Sequence, residues 1–358
     1  MKLAGLRLYR YELPITEPPE PRGTTLREGL LVKLAGGGDA VGWGGAAPLP
    51  GFSRESPEEV GGQLRALADA MVGREVAVHL PDPYGPLARE LDMMGLAPSA
   101  RFGFELALWN LYAASSGKVL PELITPRPRA TVPINALISS PDHALEEARR
   151  MRAAGYEAVK LKVGIRSVEE DVELVRALSE VLGGGVSLTL DANRAWGFEE
   201  AAAFASSTAN VRFEYVEEPL ADPSRLPALA REYGVPVALD ESLVGMTPGA
   251  LEAHGYARAV VLKPTLLGFD LADAAPGEPG AKARHHAGHQ LRLRDRRRHA
   301  GPPRARRRGG RSPRGPGHAP PAGDVLDPRP RLGSARIDVN AMVGTRRGMD
   351  HRWLTPVG

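Results

Sequence analysis

Ala158-Val159-Lys160-Leu161-Lys162 is the first of five short apolar runs that each end in charged side chains. The other four are Ser187-Leu-Thr-Leu-Asp191, Tyr215-Val-Glu217, Val237-Ala-Leu-Asp240 and Val260-Val-Leu-Lys263. From Lys162 onward the charged residues are 29, 26, 23 and 23 residues apart, the length of one strand, one helix and two loops. The spacing therefore predicts a repeating βα unit with a charged side chain at the C-terminal end of each strand. Parallel barrels carry their chemistry at those strand ends.

Strand and helix patterns alternate through the middle of the chain, which is typical of parallel βαβ units. The predicted strands are 131–138, 158–163, 186–190, 213–216, 235–239 and 259–262, and the predicted helices are 142–154, 168–182, 198–207, 224–232 and 247–254. Residues 126–270 are thus predicted to form a (β/α) barrel with six readable strands, whereas a closed barrel needs eight. Residues 1–125 have the pattern of a separate α+β unit, with predicted strands at 3–11 and 29–33 and helices at 57–71 and 100–115.

Residues 271–323 differ in composition from the rest of the chain. They contain one Lys, twelve Arg and three acidic residues, a net charge of +10, although the whole chain carries only +3. Between residues 272 and 323 the large apolar residues are Leu291 and Leu293 alone. Such a segment cannot bury enough apolar surface to offset its ordering entropy, so it is not expected to supply the missing barrel strands.

Composition narrows the class of protein. The chain has 358 residues, 42% of them hydrophobic, which is ample for a large core. It has no cysteine, which excludes disulfides and thiolate metal sites, and no apolar run long enough to span a membrane. The N-terminal residues alternate like a strand and lack the apolar centre of a signal peptide. A cytoplasmic enzyme with no membrane partner is therefore expected.

The charged residues at the strand ends indicate proton removal assisted by a divalent cation. Asp191, Glu217 and Asp240 have no His or Cys nearby in sequence, and such a carboxylate set suits a hard divalent cation, Mg²⁺ or Mn²⁺. Lysines facing such a site suit removal of a proton beside a carboxylate. A small-molecule carboxylate is the expected substrate.

Several motifs together resemble the enolase superfamily, specifically its muconate-lactonizing subgroup and the o-succinylbenzoate synthases of menaquinone biosynthesis. The motifs are Pro48-Leu-Pro-Gly-Phe52-Ser53, Arg101-Phe-Gly-Phe-Glu105, Pro133-Ile-Asn135, Lys160-Leu-Lys162, Asp191-Ala-Asn193-Arg-Ala-Trp196, Glu217-Glu218-Pro219 and Leu262-Lys263-Pro-Thr-Leu-Leu-Gly268. The resemblance covers about 1–270 and 324–358. It implies an enolase-type barrel with residues 1–125 as a capping domain, to which residues 324–358 return.

The resemblance also implies roles for individual residues. Asp191, Glu217 and Asp240 would bind Mg²⁺, Lys162 would be the acid/base, and Lys263 would face it across the site. Lys160 would lie beside Lys162 as a third catalytic lysine. Asn193, Arg27, Phe52 and Ser53 would contact substrate, with the loops 24–27 and 48–53 over the barrel mouth, and Glu218 and Glu241 would support the ligands. The implied reaction is a syn dehydration that yields 2-succinylbenzoate through an enediolate stabilised by Mg²⁺ and Lys263.

The chain departs from the family at strands seven and eight, and a shifted reading frame over about 272–323 explains the departure. Read one base later with permitted codons, residues 288–299 can give Val-Ile-Ser-Ser-Ala-Phe-Glu-Thr-Gly-Val-Gly-Met, and residues 315–323 can give Gly-Leu-Asp-Thr-His-Arg-Arg-Leu-Ala. Both resemble the missing family segments. A barrel without two strands has unpaired edges and an open wall, so the chain as written is expected to be unstable or inactive.

Three alternatives stay open. An N-acylamino acid racemase or dipeptide epimerase of the same superfamily would use the same lysines and metal ligands. The acidic residues could instead be helix N-caps, which are common at strand–helix junctions. The arginines of 284–314 could bind nucleic acid through phosphates, but they lack interleaved aromatics, and no specific nucleic-acid partner is expected.

Overall fold

The computed structural model describes residues 1–14, 26–76, 85–246, 248–267, 290–292, 336–338 and 355–357. Most of the segment 272–323, for which the sequence predicts a shifted frame, lies outside these residues, as does the first half of the loop 24–27. The described residues contain two separate hydrophobic cores, one in the N-terminal unit and one under the parallel strands. None of the helices in the described ranges combines the length and apolar character needed to cross a bilayer.

The N-terminal unit is an antiparallel sheet covered by helices. Its sheet order is β13-β1-β2-β3, from β1 (Gly5–Pro14), β2 (Leu26–Ala35), β3 (Val41–Ala46) and the C-terminal β13 (Thr355–Val357). Alternate residues of β2 and β3 are buried, as expected for a sheet with one face on a core. Its helices are α1 (Pro57–Met71), α2 (Pro86–Met93), α3 (Pro98–Ser115) and α4 (Leu120–Ile124).

Strand β3 packs unusually close to helix α3, and glycines make this possible. A Cβ atom added at Gly44 would lie 2.0 Å from the carbonyl oxygen of Gly103. One added at Gly42 would lie 1.9 Å from the carbonyl oxygen of Ala107. Because these neighbours are helix backbone, only glycine fits at either strand position.

The second unit is a curved sheet of parallel strands, each followed by a helix or helical turn. Six strands lie side by side in chain order: β5 (Asn135–Leu137), β6 (Ala158–Lys162), β7 (Ser187–Asp191), β8 (Val216–Glu217), β9 (Val237–Leu239) and β10 (Ala259–Val261). The helices are α5 (Ala144–Ala153), α6 (Val168–Leu182), α7 (Phe198–Ser207), α8 (Leu226–Tyr233) and α9 (Pro264–Leu267). The predicted (β/α) alternation with six parallel strands is confirmed.

Two local expectations were wrong. The predicted strand 131–138 is split into β4 (Thr131–Pro133) and β5, because Pro133 has no N–H with which to continue the ladder. The predicted helix 247–254 is described instead as a 3₁₀ helix, Pro248–His254. Within the described part of 271–323 there is one strand, β11 (Gln290–Arg292), which runs antiparallel to β10 and is therefore not one of the parallel strands that the repeat requires.

The described part of the second sheet is open. Its order runs from β11 to β5, and these two strands are its edges within the described residues. Next to β5 in the chain, β4 pairs antiparallel with β12 (Arg336–Asp338) in a separate two-stranded sheet. The chain after residue 323 thus contacts both units, through β12 at the barrel and β13 at the N-terminal sheet.

Candidate active site

The strand register places the charged residues next to one another. Lys162 is in register with Asp191 across β6 and β7, and Asp191 is in register with Glu217 across β7 and β8. Asp240 directly follows β9, and Lys263 follows β10 by two residues. Because all these strands are parallel, their C-terminal ends form one edge, and the five residues face the same end of the barrel.

Lys160 links two of the three carboxylates. Its Nζ lies 2.6 Å from Oε2 of Glu217 and 2.9 Å from Oδ2 of Asp191. Burial disfavours the charged form of Lys160, but the attraction of Glu217 and then Asp191 outweighs it and raises the lysine's pKa above its usual value. Lys160 is therefore a fixed cation between two strand ends and is unsuited to act as a base in this arrangement.

Glu217 and Asp240 are buried with too little positive charge nearby to offset the cost of burying their carboxylates. Glu217 is fully buried, and this burial raises its pKa above the usual range even though Lys160 acts in the opposite direction. Burial likewise raises the pKa of Asp240 to about 6, opposed by Lys263 and reinforced by the nearby charge of Glu241. A further cation at this edge would relieve both effects.

Lys263 closes the opposite side of the site. Its Nζ donates to Oδ2 of Asp240 and lies 5.5 Å from the centre of the Phe52 ring, which belongs to the N-terminal unit. An ammonium at that distance over an aromatic face is attracted by the ring. Phe52 thus connects the loop after β3 with the strand-end lysine.

Beneath the carboxylates the barrel is filled by a tyrosine. Tyr215 is buried and packs with Ala238 and Ala259, whose small side chains leave room for its ring. Burial raises the pKa of its hydroxyl, and the charge of Glu217 adds to this. Thr189 Oγ1 accepts from the Asn135 amide, 3.1 Å away. Tyr215 and the Asn135–Thr189 pair therefore fill part of the interior beneath the strand ends.

Glu218 points away from Glu217 and joins three loops. Its Oε1 accepts from the backbone N–H groups of Asp240 and Ser242, each at 2.8 Å. Its Oε2 accepts from the Ser242 hydroxyl at 2.8 Å and from Nε of Arg194 at 3.2 Å. The supporting role of Glu218 stays a prediction.

The other predicted residues have varied surroundings. Lys162 is exposed at the end of β6. The backbone N–H of Asn193 donates to Oδ1 of Asp191 at 3.0 Å. The Arg27 guanidinium donates to the carbonyls of Pro48 and Ala47, at 2.7 and 2.8 Å, so it holds the 48–53 loop from beneath. Ser53 Oγ accepts from the N–H of Leu49 within that loop.

Sequence reasoning missed three residues here: Arg194, Ser242 and Tyr215. Arg194 and Ser242 stand next to predicted residues in the chain, but each contacts Glu218 across 24 residues, and they contact each other across 48. No local pattern signals such a contact. The apolar run ending at Glu217 places Tyr215 on the inward face with Glu217, since alternate strand residues share a face. That signal was present in the sequence.

The donor set fits a hard divalent cation. Three carboxylates on adjacent strands offer the oxygen ligands that Mg²⁺ prefers, and two of them have pKa values raised by burial. Within the described ranges, no three Asp, Glu, His or Cys side chains are already gathered tightly enough to hold a metal ion. The ammonium groups of Lys160 and Lys263 are paired with these oxygens instead. Cation binding would therefore require the lysines to withdraw from their partners.

Comparison with known proteins gives a consistent family. Residues 3–111 match the family described as MenC, N-terminal domain, and residues 143–254 match enolase C-terminal domain-like proteins. The o-succinylbenzoate synthase of Vibrio cholerae is 32% identical over 270 residues, and that of Yersinia enterocolitica is 34% identical over 266. Each alignment covers 73% of this chain and 73% of the relative.

A plant relative is matched over a smaller share of its length. The Arabidopsis thaliana protein PHYLLO, chloroplastic, is 29% identical over 294 residues, and the chain spans 17% of it. Among solved structures, the Bacillus subtilis L-Ala-D/L-Glu epimerase superposes with a TM-score of 0.66 at 24% identity, covering 76% of this chain and 78% of that one. The muconate lactonizing enzyme of Pseudomonas putida gives 0.64 at 22% identity, covering 77% and 76%. These two structures support the fold alone. On its similarity to the bacterial synthases, the chain belongs to the o-succinylbenzoate synthase family of hydro-lyases within the enolase superfamily.

Proposed function

We propose that this site is built for the Mg²⁺-dependent syn dehydration of 2-succinyl-6-hydroxy-2,4-cyclohexadiene-1-carboxylate to 2-succinylbenzoate, a step of menaquinone biosynthesis. The observation that carries the proposal is the arrangement of the strand ends. Three carboxylates lie between Lys162 on one side and Lys263 on the other, on five adjacent parallel strands. The family relationship supplies the substrate class, and a cytoplasmic location remains a prediction.

The different surroundings of Lys162 and Lys263 suit them to different roles. Lys162 is exposed at the barrel mouth, so its Nζ can accept the proton from the carbon next to the substrate carboxylate. It then returns that proton to the departing hydroxyl, so that one water leaves and the ring becomes aromatic. Lys263, placed beside Asp240, offsets negative charge on the enediolate from the opposite side. Asp191, Glu217 and Asp240 would hold Mg²⁺ or Mn²⁺, which supplies a positive charge to the substrate carboxylate.

The test is product formation from the cyclohexadiene substrate, followed by the change in ultraviolet absorbance as the ring becomes aromatic. With residues 272–323 read in the family's frame, we expect activity that requires Mg²⁺ and that Lys162→Ala abolishes. Lys33→Ala is the matched control, because Lys33 lies in the N-terminal unit with its ammonium 5.3 Å over the Trp43 ring. Activity without Mg²⁺, or equal activity in Lys162→Ala, would contradict the proposal.

The same protein is offered N-succinylamino acids to test the alternative. The fold neighbours include the Bacillus subtilis epimerase and the Bacillus cereus N-succinyl Arg/Lys racemase, so the racemase is the second candidate. Both reactions begin with proton removal beside a carboxylate, and they differ in whether water is lost. Racemisation without dehydration would replace the proposed function with the racemase.

We further propose that the segment 272–323 is translated out of frame relative to the family. The bacterial relatives and this chain each leave about a quarter of their length unaligned, which is the share expected if the last barrel strands are unreadable here. The family matches end at residue 254. Resequencing the gene across codons 265–330 tests whether the shift is an error in the recorded sequence. A gene that encodes the family's segments in one frame would show such an error, and a gene that encodes the printed residues would contradict it.

A further inference from the structure

The buried carboxylate of Glu218 accepts hydrogen bonds at both of its oxygens. Its side chain is fully buried, and all four of its hydrogen-bond partners are donors. Arg194 also donates from Nη2 to the Ser242 hydroxyl oxygen at 2.9 Å, which closes a ring of contacts. We refer to Glu218, Arg194 and Ser242 as the Glu218 clamp.

The clamp connects the segments that carry the three proposed metal ligands. Glu218 follows Glu217 directly, and its Oε1 accepts from the N–H of Asp240. Arg194 lies three residues after Asp191, and its backbone N–H donates to the Glu218 carbonyl at 2.7 Å. The clamp therefore touches the loops after β7, β8 and β9, and one carboxyl group relates all three ligands to one another.

Backbone strain is concentrated in the same place. Among the described residues, the non-glycine residues with positive φ are Asn193 at 44°, Arg194 at 61° and Glu218 at 38°. This conformation is unfavourable for a residue with a Cβ atom, and such strain collects at functional sites. All three residues lie in or beside the clamp. Strained backbone at these positions indicates that the loops hold the proposed metal ligands in one geometry, because unstrained loops would give a more stable fold.

We propose that the Glu218 clamp positions Asp240, Glu217 and Asp191 for cation binding, so that Glu218 and Arg194 act through the ligands without touching substrate. This inference rests on the proposed function of the site. It goes beyond that function by assigning roles to Arg194 and Ser242 and by making the affinity for Mg²⁺ depend on them. Removal of groups that orient metal ligands typically weakens metal affinity about 10- to 100-fold.

The test is the affinity for Mg²⁺ alone, measured by isothermal calorimetry on the full chain without substrate. Glu218→Ala removes all four contacts, and we expect it to weaken Mg²⁺ binding about 10- to 100-fold. Glu218→Gln keeps an oxygen for the two backbone donors but opposes Arg194 with a second donor. Ser242→Ala removes two contacts, the hydroxyl's donation to Glu218 and its acceptance from Arg194. Both should show smaller losses in the same direction.

Glu147→Gln is the matched control. Glu147 is also a buried glutamate that accepts from the N–H and the hydroxyl of one serine, Ser139, at 2.8 and 2.7 Å. It lies in α5, the helix that follows β5, and β5 carries none of the proposed metal ligands. We expect Glu147→Gln to lower the melting temperature and to leave Mg²⁺ affinity unchanged within about twofold, since an orienting effect requires contact with the ligand loops.

Amide hydrogen exchange in metal-free protein gives a second readout. Glu218→Ala should accelerate exchange at Asp240 and Ser242, whose N–H groups lose their acceptor, and Glu147→Gln should not. Unchanged Mg²⁺ affinity in folded Glu218→Ala or Glu218→Gln, or unchanged exchange at residues 240 and 242, would overturn the clamp. Failure of the proposed function appears differently, as absence of Mg²⁺ binding in the unmutated chain, and it overturns the positioning role as well.

Discussion

Replacing Lys160 by Met tests whether the lysine charge offsets the repulsion between Glu217 and Asp191 in the absence of metal. The Lys160 side chain is only 19% exposed, and its ammonium contacts Glu217, which is fully buried, and Asp191. Methionine keeps much of the aliphatic length but removes the charge. The variant therefore leaves two neighbouring carboxyl groups without their cation.

The distances set the size of the effect. At 2.6 and 2.9 Å each attraction is worth about 6 kcal/mol with an effective dielectric constant of about 20. The cost of removing lysine from water offsets much of this, and loss of one partner from a buried ion pair typically destabilises a protein by about 3–5 kcal/mol. We therefore expect Lys160→Met to lower the free energy of unfolding by about 3 kcal/mol in metal-free protein.

Urea denaturation with and without Mg²⁺ measures the effect. Metal that binds only the folded state adds about 2.7 kcal/mol at 100 times its dissociation constant. Lys160→Met should gain more from Mg²⁺ than the unmutated chain does, because the metal then replaces the missing charge. Lys162→Met is the matched control on the same strand, and its exposed side chain predicts a loss below about 1 kcal/mol.

A loss below about 1 kcal/mol in metal-free Lys160→Met would refute this reasoning, because it would mean that Glu217 and Asp191 do not depend on the lysine. An equal gain from Mg²⁺ in both proteins would likewise show that lysine and metal do not share one site.

Two further predictions concern the N-terminal unit. Gly44→Ala should cost about 1–3 kcal/mol of stability by thermal melting, because its Cβ would lie 2.0 Å from the Gly103 carbonyl oxygen, whereas Gly45→Ala meets nothing within 4 Å and should be nearly neutral. A similar melting temperature for both would show that β3 and α3 can separate freely. Ser56→Ala should cost about 1 kcal/mol, because Ser56 Oγ accepts from the N–H of Glu59 in a capping box at the start of α1. An unchanged melting temperature would show that the cap contributes nothing measurable.

Periodic features of the fold could be predicted from sequence. The βα spacing from Lys162 to Lys263 gives five parallel strands with charged residues at or just after their C-terminal ends, because strand and helix lengths are set by local patterns. Helix α1 begins at Pro57 and ends at Met71, as its helical pattern predicts. Boundaries differed where a proline interrupted a strand, as at Pro133.

Contacts between loops could not be predicted. The pairing of Lys160 with two carboxylates depends on the register of three strands, and the coordination of Glu218 depends on the loops after β7 and β9. The sequence predicted Arg27 as a substrate contact, but its guanidinium is used by two backbone carbonyls of a loop twenty residues away. Charge and spacing identify which residues face a site. Tertiary contacts then determine which of these side chains are available to bind substrate or metal.

The proposed dehydratase activity depends on residues 272–323 being read in the family's frame. The most direct measurement compares Mg²⁺-dependent formation of 2-succinylbenzoate by the chain as printed and by a chain with residues 272–323 read one base later. We expect the restored chain to turn over and the printed chain to be slower by about 100-fold or more, since small misplacements of catalytic groups cost that much. Equal rates in the two chains, or no turnover by the restored chain, would contradict the account.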